Sequence, residues 1–271
     1  MKKKLIINGH DLGFSHAINE GFQYLLEKYP RVLSEISILP NGLASEEAVA
    51  IAKESGVAVN LCMCFANSKF KGLSGRSTLT DEKGYLKNAD TISWDFSVID
   101  SFSEEDIKRE IEAQYQWFLD RFGKKPSAIV TQKGEHGDPK ILEPFVALAK
   151  RENLPMRAPM WRWKTNYGAQ SFVEAEGIRT TQSIHMGIKD WRGELGFDLE
   201  TELEELIEQI SAENNGVSEL LLFIGFAGEE MFKLSSISWQ RGQILNIAKR
   251  KYHIIEKIRE SFDIVGFGDI E

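Results

Sequence analysis

His10 and Asp11 stand side by side just after the apolar run Leu5-Ile6-Ile7 and the turn-forming pair Asn8-Gly9. An imidazole beside a carboxylate can move a proton or hold a cation, and in α/β proteins such chemistry is assembled at the carboxyl ends of strands. The local pattern reads as a buried first strand that stops in a polar, glycine-flanked turn over Asn8–Gly13 before a helix. The same Asp also suits an Asx turn or a helix cap. A second group, Glu135, His136 and Asp138, places acid, base and ligand types within a span of four residues after another strand-like run, Ala128–Thr131. Asp138 equally suits the cap of a helix opened by Pro139.

Other residues carry two readings each. His185 follows the polar run Thr180-Thr181-Gln182-Ser183 at a strand end, as a site residue or a satisfied structural histidine. Trp161, Trp163 and Trp191 suit stacking on sugar rings, and suit subunit contact equally well. Cys62 and Cys64 share a strand face with Asn60; they could form a thiolate zinc site with Asp11 or His136, or fill space as small buried residues. Spaced by two on an extended segment, they have poor geometry for bonding to each other, which points to a reducing cytoplasm. His16 and His253 fall in helical stretches and read as structural or solvated.

The elements that must position these groups alternate along the chain. Ile18, Phe22, Leu25 and Leu26 mark a helix up to Pro30, Val32–Leu39 a strand, and Ser45–Glu54 a helix. Val57–Phe65 is a strand, with Val59, Leu61 and Met63 on one face and Asn60, Cys62 and Cys64 on the other. A polar excursion from about residue 67 to 101 has the size of a lid or binding loop. A helix through Ile107, Ile111, Tyr115, Phe118 and Phe122 should be capped by Ser103, with Asp106 at its third position. A helix through Ile141 and Leu148, strands at Met156–Pro159 and Ile178–His185, an acidic amphipathic helix at Leu199–Ile210 and a strand at Leu220–Phe226 follow. A long helix over Trp239–Phe262 precedes Ile264-Val265. About seven such alternations, with no repeat or linker, predict a single α/β domain over residues 1–271. They fit a distorted (β/α) barrel of about seven parallel strands.

Composition narrows the function classes. The formal net charge of −8 argues against a nucleic-acid surface, and no apolar run reaches the length of a membrane helix. Neither a dinucleotide fingerprint nor a P-loop occurs.

In register along nearly the whole chain, five segments resemble the YdjC-like carbohydrate deacetylase family, which includes chito-oligosaccharide deacetylases. Leu5 to Gly13 resembles its opening strand with Asp-Asp-Phe-Gly, and Gly56-Val57-Ala58-Val59-Asn60-Leu61 its Gly-Val-x-Leu-His-Leu. Thr78 to Tyr85 resembles its loop motif, and Pro126 to His136 its histidine-rich fourth strand. Val217 to Gly225, with Ser238-Trp239-Gln240-Arg241, resembles its last strand and final helix.

The resemblance implies a homodimer acting on an N-acetylated saccharide, with one divalent metal (Zn or Mg) held by an Asp and two His while a carboxylate serves as base. Carried over, Asp11 is retained as metal ligand or anchor, and His10 replaces the first Asp as substitute base. Asn60 and Gln132 stand where two histidines are expected, Gly134 replaces another, and His136 survives as second ligand or acid. Phe223-Ile224-Gly225 replaces His-Pro-Gly. Neutral amides are poor ligands for a transition metal. The implied metal-dependent deacetylation is therefore expected to be lost or rebuilt. Asn60, Gln132, Glu135, Trp161 and His185 would then contact substrate, or the same barrel would bind a saccharide without catalysis.

Overall fold

The computed structural model describes residues 2–89, 95–159, 168–186, 199–213 and 216–271. β1 (Lys4–Leu12) leads into α1 (His16–Lys28), whose first turn is capped by the Ser15 hydroxyl accepting from the Ile18 amide. β2 (Glu35–Ile38), α2 (Ser45–Ser55), β3 (Ala58–Met63), α3 (Glu104–Phe122), β4 (Ile129–Thr131) and α4 (Pro139–Glu152) continue the alternation. Ser103 and Asp138 cap α3 and α4 with their side chains, as the residue types predict. α5 (Ala169–Ala175), β5 (Ser183–Met186), α6 (Leu199–Ala212) and β6 (Val217–Phe223) complete the second half.

Three expectations are corrected. β1 does not stop at Asn8; the turn residues stay in the strand because β6 pairs with it from Lys4 through His10. After a short α7 (Glu229–Leu234), the last long helix is two, α8 (Ser238–Arg250) and α9 (Tyr252–Ser261), broken at Lys251, whose φ of −139° and ψ of 45° are not helical. The expected strand at Met156–Pro159 is reduced to parallel bridges from Met156 to Ile129 and to Thr180.

All named strand pairs are parallel, in the order β4-β3-β2-β1-β6-β5. The short β7 (Asp263–Ile264) joins the lower part of β1. The Met156 bridges carry the ladder from β4 toward β5, so the sheet curls into a distorted (β/α) barrel. Its outer face is apolar, with Leu5, Ile7, Leu220 and Leu222 buried against the helices.

The interior is polar. Glu219 of β6 is gripped by Arg157 and accepts from Asn8 Nδ2 at 2.7 Å. Ser37 donates to Asn8, Asn60 donates to Ser37 at 3.5 Å, and the Ser127 hydroxyl lies within hydrogen-bond distance of Asn60 Oδ1 and Glu35 Oε2, at 2.7 and 2.8 Å. Each of these side chains thereby finds a partner, as desolvation demands.

The described part of the excursion after β3 is no loose flap. Phe70, Leu79 and Leu86 are buried in it, and the amides of Leu73, Ser74 and Thr78 donate to Glu110 and Asp106 of α3.

Candidate functional site

The end of β1 is built irregularly. Pairing with β2 slips between Gly9 and Leu12, and Asp11 takes a φ of +76°, a left-handed conformation that few non-glycine residues adopt. The turn is held by the Phe14 amide donating to the Asp11 carbonyl and by Asn19 Oδ1 accepting from the Gly13 amide. Strain of this kind tends to cluster at functional sites, and here it re-aims a single side chain.

Asp11 and His10 are 3% and 1% exposed. Asp11 Oδ2 accepts from Arg241 Nη2 of α8 at 2.5 Å. Its other oxygen lies 3.6 Å from His10 Nε2. That nitrogen faces the Gln132 carbonyl at 3.0 Å, and since a carbonyl only accepts, Nε2 carries the ring proton and Nδ1 the lone pair. Burial keeps His10 below its ordinary range, outweighing the pull of Asp11. Burial also pushes the Asp11 carboxyl up, but the attraction of His10 and Arg241, with the Arg241 hydrogen bond, more than reverses this and holds it low. The pair is therefore a neutral imidazole beside a carboxylate. Phe223 sets its ring edge against His10 at 5.5 Å between centroids, and the Arg241 guanidinium lies over the rings of Phe223 and Phe14.

The structure gathers some of the expected site residues and disperses others. His10, Asp11 and the backbone of Gln132 meet. The Gln132 side chain reaches the site too: its Oε1 accepts from Cys64 Sγ and Asn67 Nδ2, and its amide helps hold the Asp11 carboxyl low. Asn60 sits deeper, spent on Ser37 and Ser127. Glu135 is a loop clamp that accepts from the amides of Phe65 and Lys133.

His136 has both nitrogens occupied: Nδ1 is 2.6 Å from Thr131 Oγ1, and Nε2 faces the carbonyls of Arg157 and Ala158. Its ring stacks on Phe145, and burial pushes its pKa down to about 4. His185 pairs in register with Leu220, on the outer face of the sheet, and bonds Glu213 and Ser183. Trp161, Trp163 and Trp191 lie outside the described residues. Residue-by-residue reasoning missed Arg157, Glu219 and the role of Arg241. A lone arginine in a helix gives no local signal, and only the Ser-Trp-Gln-Arg match pointed at Arg241.

Comparison with known proteins decides the family, because the YdjC-like protein family matches residues 4–252. The chain belongs to it. A carbohydrate deacetylase of Clostridium beijerinckii is 25% identical over 98% of this chain and its own full length. A chitooligosaccharide deacetylase of Serratia marcescens is 28% identical over 58% of this chain and 60% of its own. In fold, the chain resembles a solved putative cellobiose-phosphate cleavage protein of Enterococcus faecalis, with a TM-score of 0.78 at 20% identity, covering 98% of both chains.

The metal centre implied by the resemblance, one Asp and two His, does not fit the residues of this YdjC-like chain. Asn60 and Gln132 are amides, and both ring nitrogens of His136 are taken, by Thr131 and by the carbonyls of Arg157 and Ala158. A ring nitrogen of His10, a carboxylate oxygen of Asp11 and Cys62 Sγ do converge within 4.8 Å of one another. Yet a guanidinium already sits on Asp11, placing a fixed positive charge where a cation would have to bind.

Proposed function

We propose that this YdjC-like chain engages an N-acetylated saccharide at the mouth of its barrel, as a carbohydrate deacetylase relative with a rebuilt centre. The observation that carries this reading is the buried His10–Asp11 pair, at the strand end where barrel enzymes assemble their chemistry, with His10 Nδ1 and Asp11 Oδ1 both unpartnered among the described residues. In the hydrolytic version His10 Nδ1 takes a proton from the attacking water and returns it to the leaving amine as the C–N bond breaks. Acetate and the free amino sugar result. Asp11 orients the ligand, and the Gln132 carbonyl fixes the tautomer of His10.

A second reading, a saccharide-binding protein without catalysis, is favoured by Phe223, whose ring occupies the space beside His10. Two buried, unbonded cysteines support a cytoplasmic setting, and the homodimer rests on the family resemblance alone. Incubating the protein with N-acetylglucosamine oligomers while following acetate release and calorimetric binding tests both. Release that disappears in His10→Ala supports the enzyme, binding without release supports the second reading, and neither would sink the saccharide assignment.

A further inference from the structure

A serine hydroxyl carries one hydrogen, an amide nitrogen only donates, and a carbonyl or carboxylate oxygen only accepts, so a run of buried hydrogen bonds can fix where its protons lie. The run inside this barrel is anchored at Glu219, whose two oxygens are held by the Arg157 guanidinium and which therefore stays an acceptor. Asn8 must turn Nδ2 toward it, at 2.7 Å, which leaves Asn8 Oδ1 to accept the Ser37 hydrogen at 3.0 Å. With that hydrogen spent, Ser37 Oγ accepts from Asn60 Nδ2 at 3.5 Å, and Asn60 Oδ1 is left to accept the single hydrogen of Ser127 at 2.7 Å. Glu35 Oε2, 2.8 Å from the same Ser127 oxygen, then has no hydrogen to accept there. Two bare acceptors at that distance repel, and a proton on the carboxyl group resolves the contact.

We propose that Glu35 is a neutral acid at the head of this run: it donates its proton to Ser127, and every bond onward through Asn60, Ser37 and Asn8 donates in the same direction, toward Glu219. Asn60, which stands where the family resemblance expects a histidine, is thereby committed as a link in the wire. Glu35 is buried, and its other oxygen accepts from the Phe267 amide at 2.9 Å. A Cβ at Gly266 would lie 2.7 Å from that oxygen, so the C-terminal turn closes directly on the acid. Asn8 and Ala58, which pair with Glu35 in register from β1 and β3, are neutral, and the charges that act on it most, Glu219 and Asp269, are both acidic. Burial and those two charges raise Glu35 to about 7, so its proton is released near neutrality. On release the Ser127 hydrogen turns to Glu35, Asn60 Oδ1 loses its donor, and the wire breaks. The barrel interior thus carries a pH-sensitive element remote from His10 and Asp11.

The test is isotope-edited infrared spectroscopy of the full chain grown with carboxyl-labelled glutamate, in which subtraction of the Glu35→Gln spectrum isolates the protonated carboxyl band of Glu35. Wild type is expected to show that band below neutrality and to lose it as pH rises past neutrality. Ser127→Ala removes the acceptor of the acid proton, and Asn60→Leu frees the Ser127 hydrogen to serve a carboxylate. Each is therefore expected to lower the proton affinity of Glu35 about tenfold, a fall of about one pH unit in the midpoint. If Ser127 instead donates to an ionised Glu35, Ser127→Ala raises the midpoint. That rise, a midpoint unmoved in either folded variant, or the lack of a protonated band in wild type below neutrality overturns the proposal. Should Asn60→Leu not fold, the sign of the shift in Ser127→Ala decides by itself.

Discussion

Arg157 holds Glu219 at two points inside the barrel, Nε to Oε2 at 2.8 Å and Nη2 to Oε1 at 2.7 Å, with both side chains at most 1% exposed. A third bond, Nη1 to the Thr131 carbonyl, ties the pair to β4. Parallel barrels commonly fill this volume with aliphatic side chains. Here a planar ion pair spans it and links opposite strands.

Breaking that pair from one side leaves a buried, uncompensated charge. Arg157→Met is expected to cost about 3–5 kcal/mol in urea unfolding, and Arg157→Met with Glu219→Leu to recover much of it. A double variant no better than the single one would mean that the hydrogen bonds from Asn8 and to Thr131 matter more than the charges.

Stability should depend on pH through two buried groups acting in opposite directions. Burial raises Glu35 to about 7, against the bond from the Phe267 amide, so the folded state holds a proton that the unfolded chain releases above its ordinary carboxylate pKa. Its contribution is present at low pH and is lost as pH rises from about 4.5 to 7. His136, lowered to about 4, does the reverse: the unfolded imidazole gains a proton below about 6.5 and the folded one does not, so stability is lost as pH falls from there to 4. Each window spans about 3 kcal/mol. Glu35→Gln should gain relative to wild type as pH rises through its window, and His136→Asn should gain as pH falls through the other. Parallel curves for variant and wild type would refute either assignment.

The assignment of Asp138 as a helix cap is testable by itself. Its carboxylate accepts from the Lys140 amide, and Asp138→Ala should lower stability by about 1 kcal/mol while leaving saccharide binding unchanged. Lost binding in a folded variant would return Asp138 to the site.

Cys62 and Cys64 are buried and unbonded, with thiols pushed well up by burial and neighbouring carboxylates. Both should resist a thiol reagent in the native chain and react promptly only after denaturation. Rapid native reaction of Cys62 would mean that the site opens to solvent.

The helices and inner strands were legible because their apolar periodicity and caps are local. Ile107 to Phe122 behind Ser103 predicts α3 to within a residue of each end, and the alternation around Asn60 correctly places it inside the barrel. What escaped depends on partners distant in sequence. Nothing near Asn8 indicates that β6, some 210 residues later, will keep it in a strand. Nothing near His136 indicates that the carbonyls of Arg157 and Ala158, more than twenty residues on, will face its ring. At the site, the resemblance marks Asn60 and Gln132 where histidines are expected, but only the fold brings Arg241 onto Asp11.

The position of β1 has a consequence for how the chain assembles. β1 lies in the middle of the sheet, and its lower half is flanked by β6 and β7, which follow it by more than two hundred residues. The turn at Phe267–Asp269 then seals the end beneath it, with the Phe267 amide on Glu35. During synthesis the N-terminal units can collapse, but β1 stays open along one edge until the final quarter of the chain emerges. Folding is accordingly a late event of high contact order, and until β6 arrives the nascent chain carries an unpaired row of β1 backbone groups along that edge.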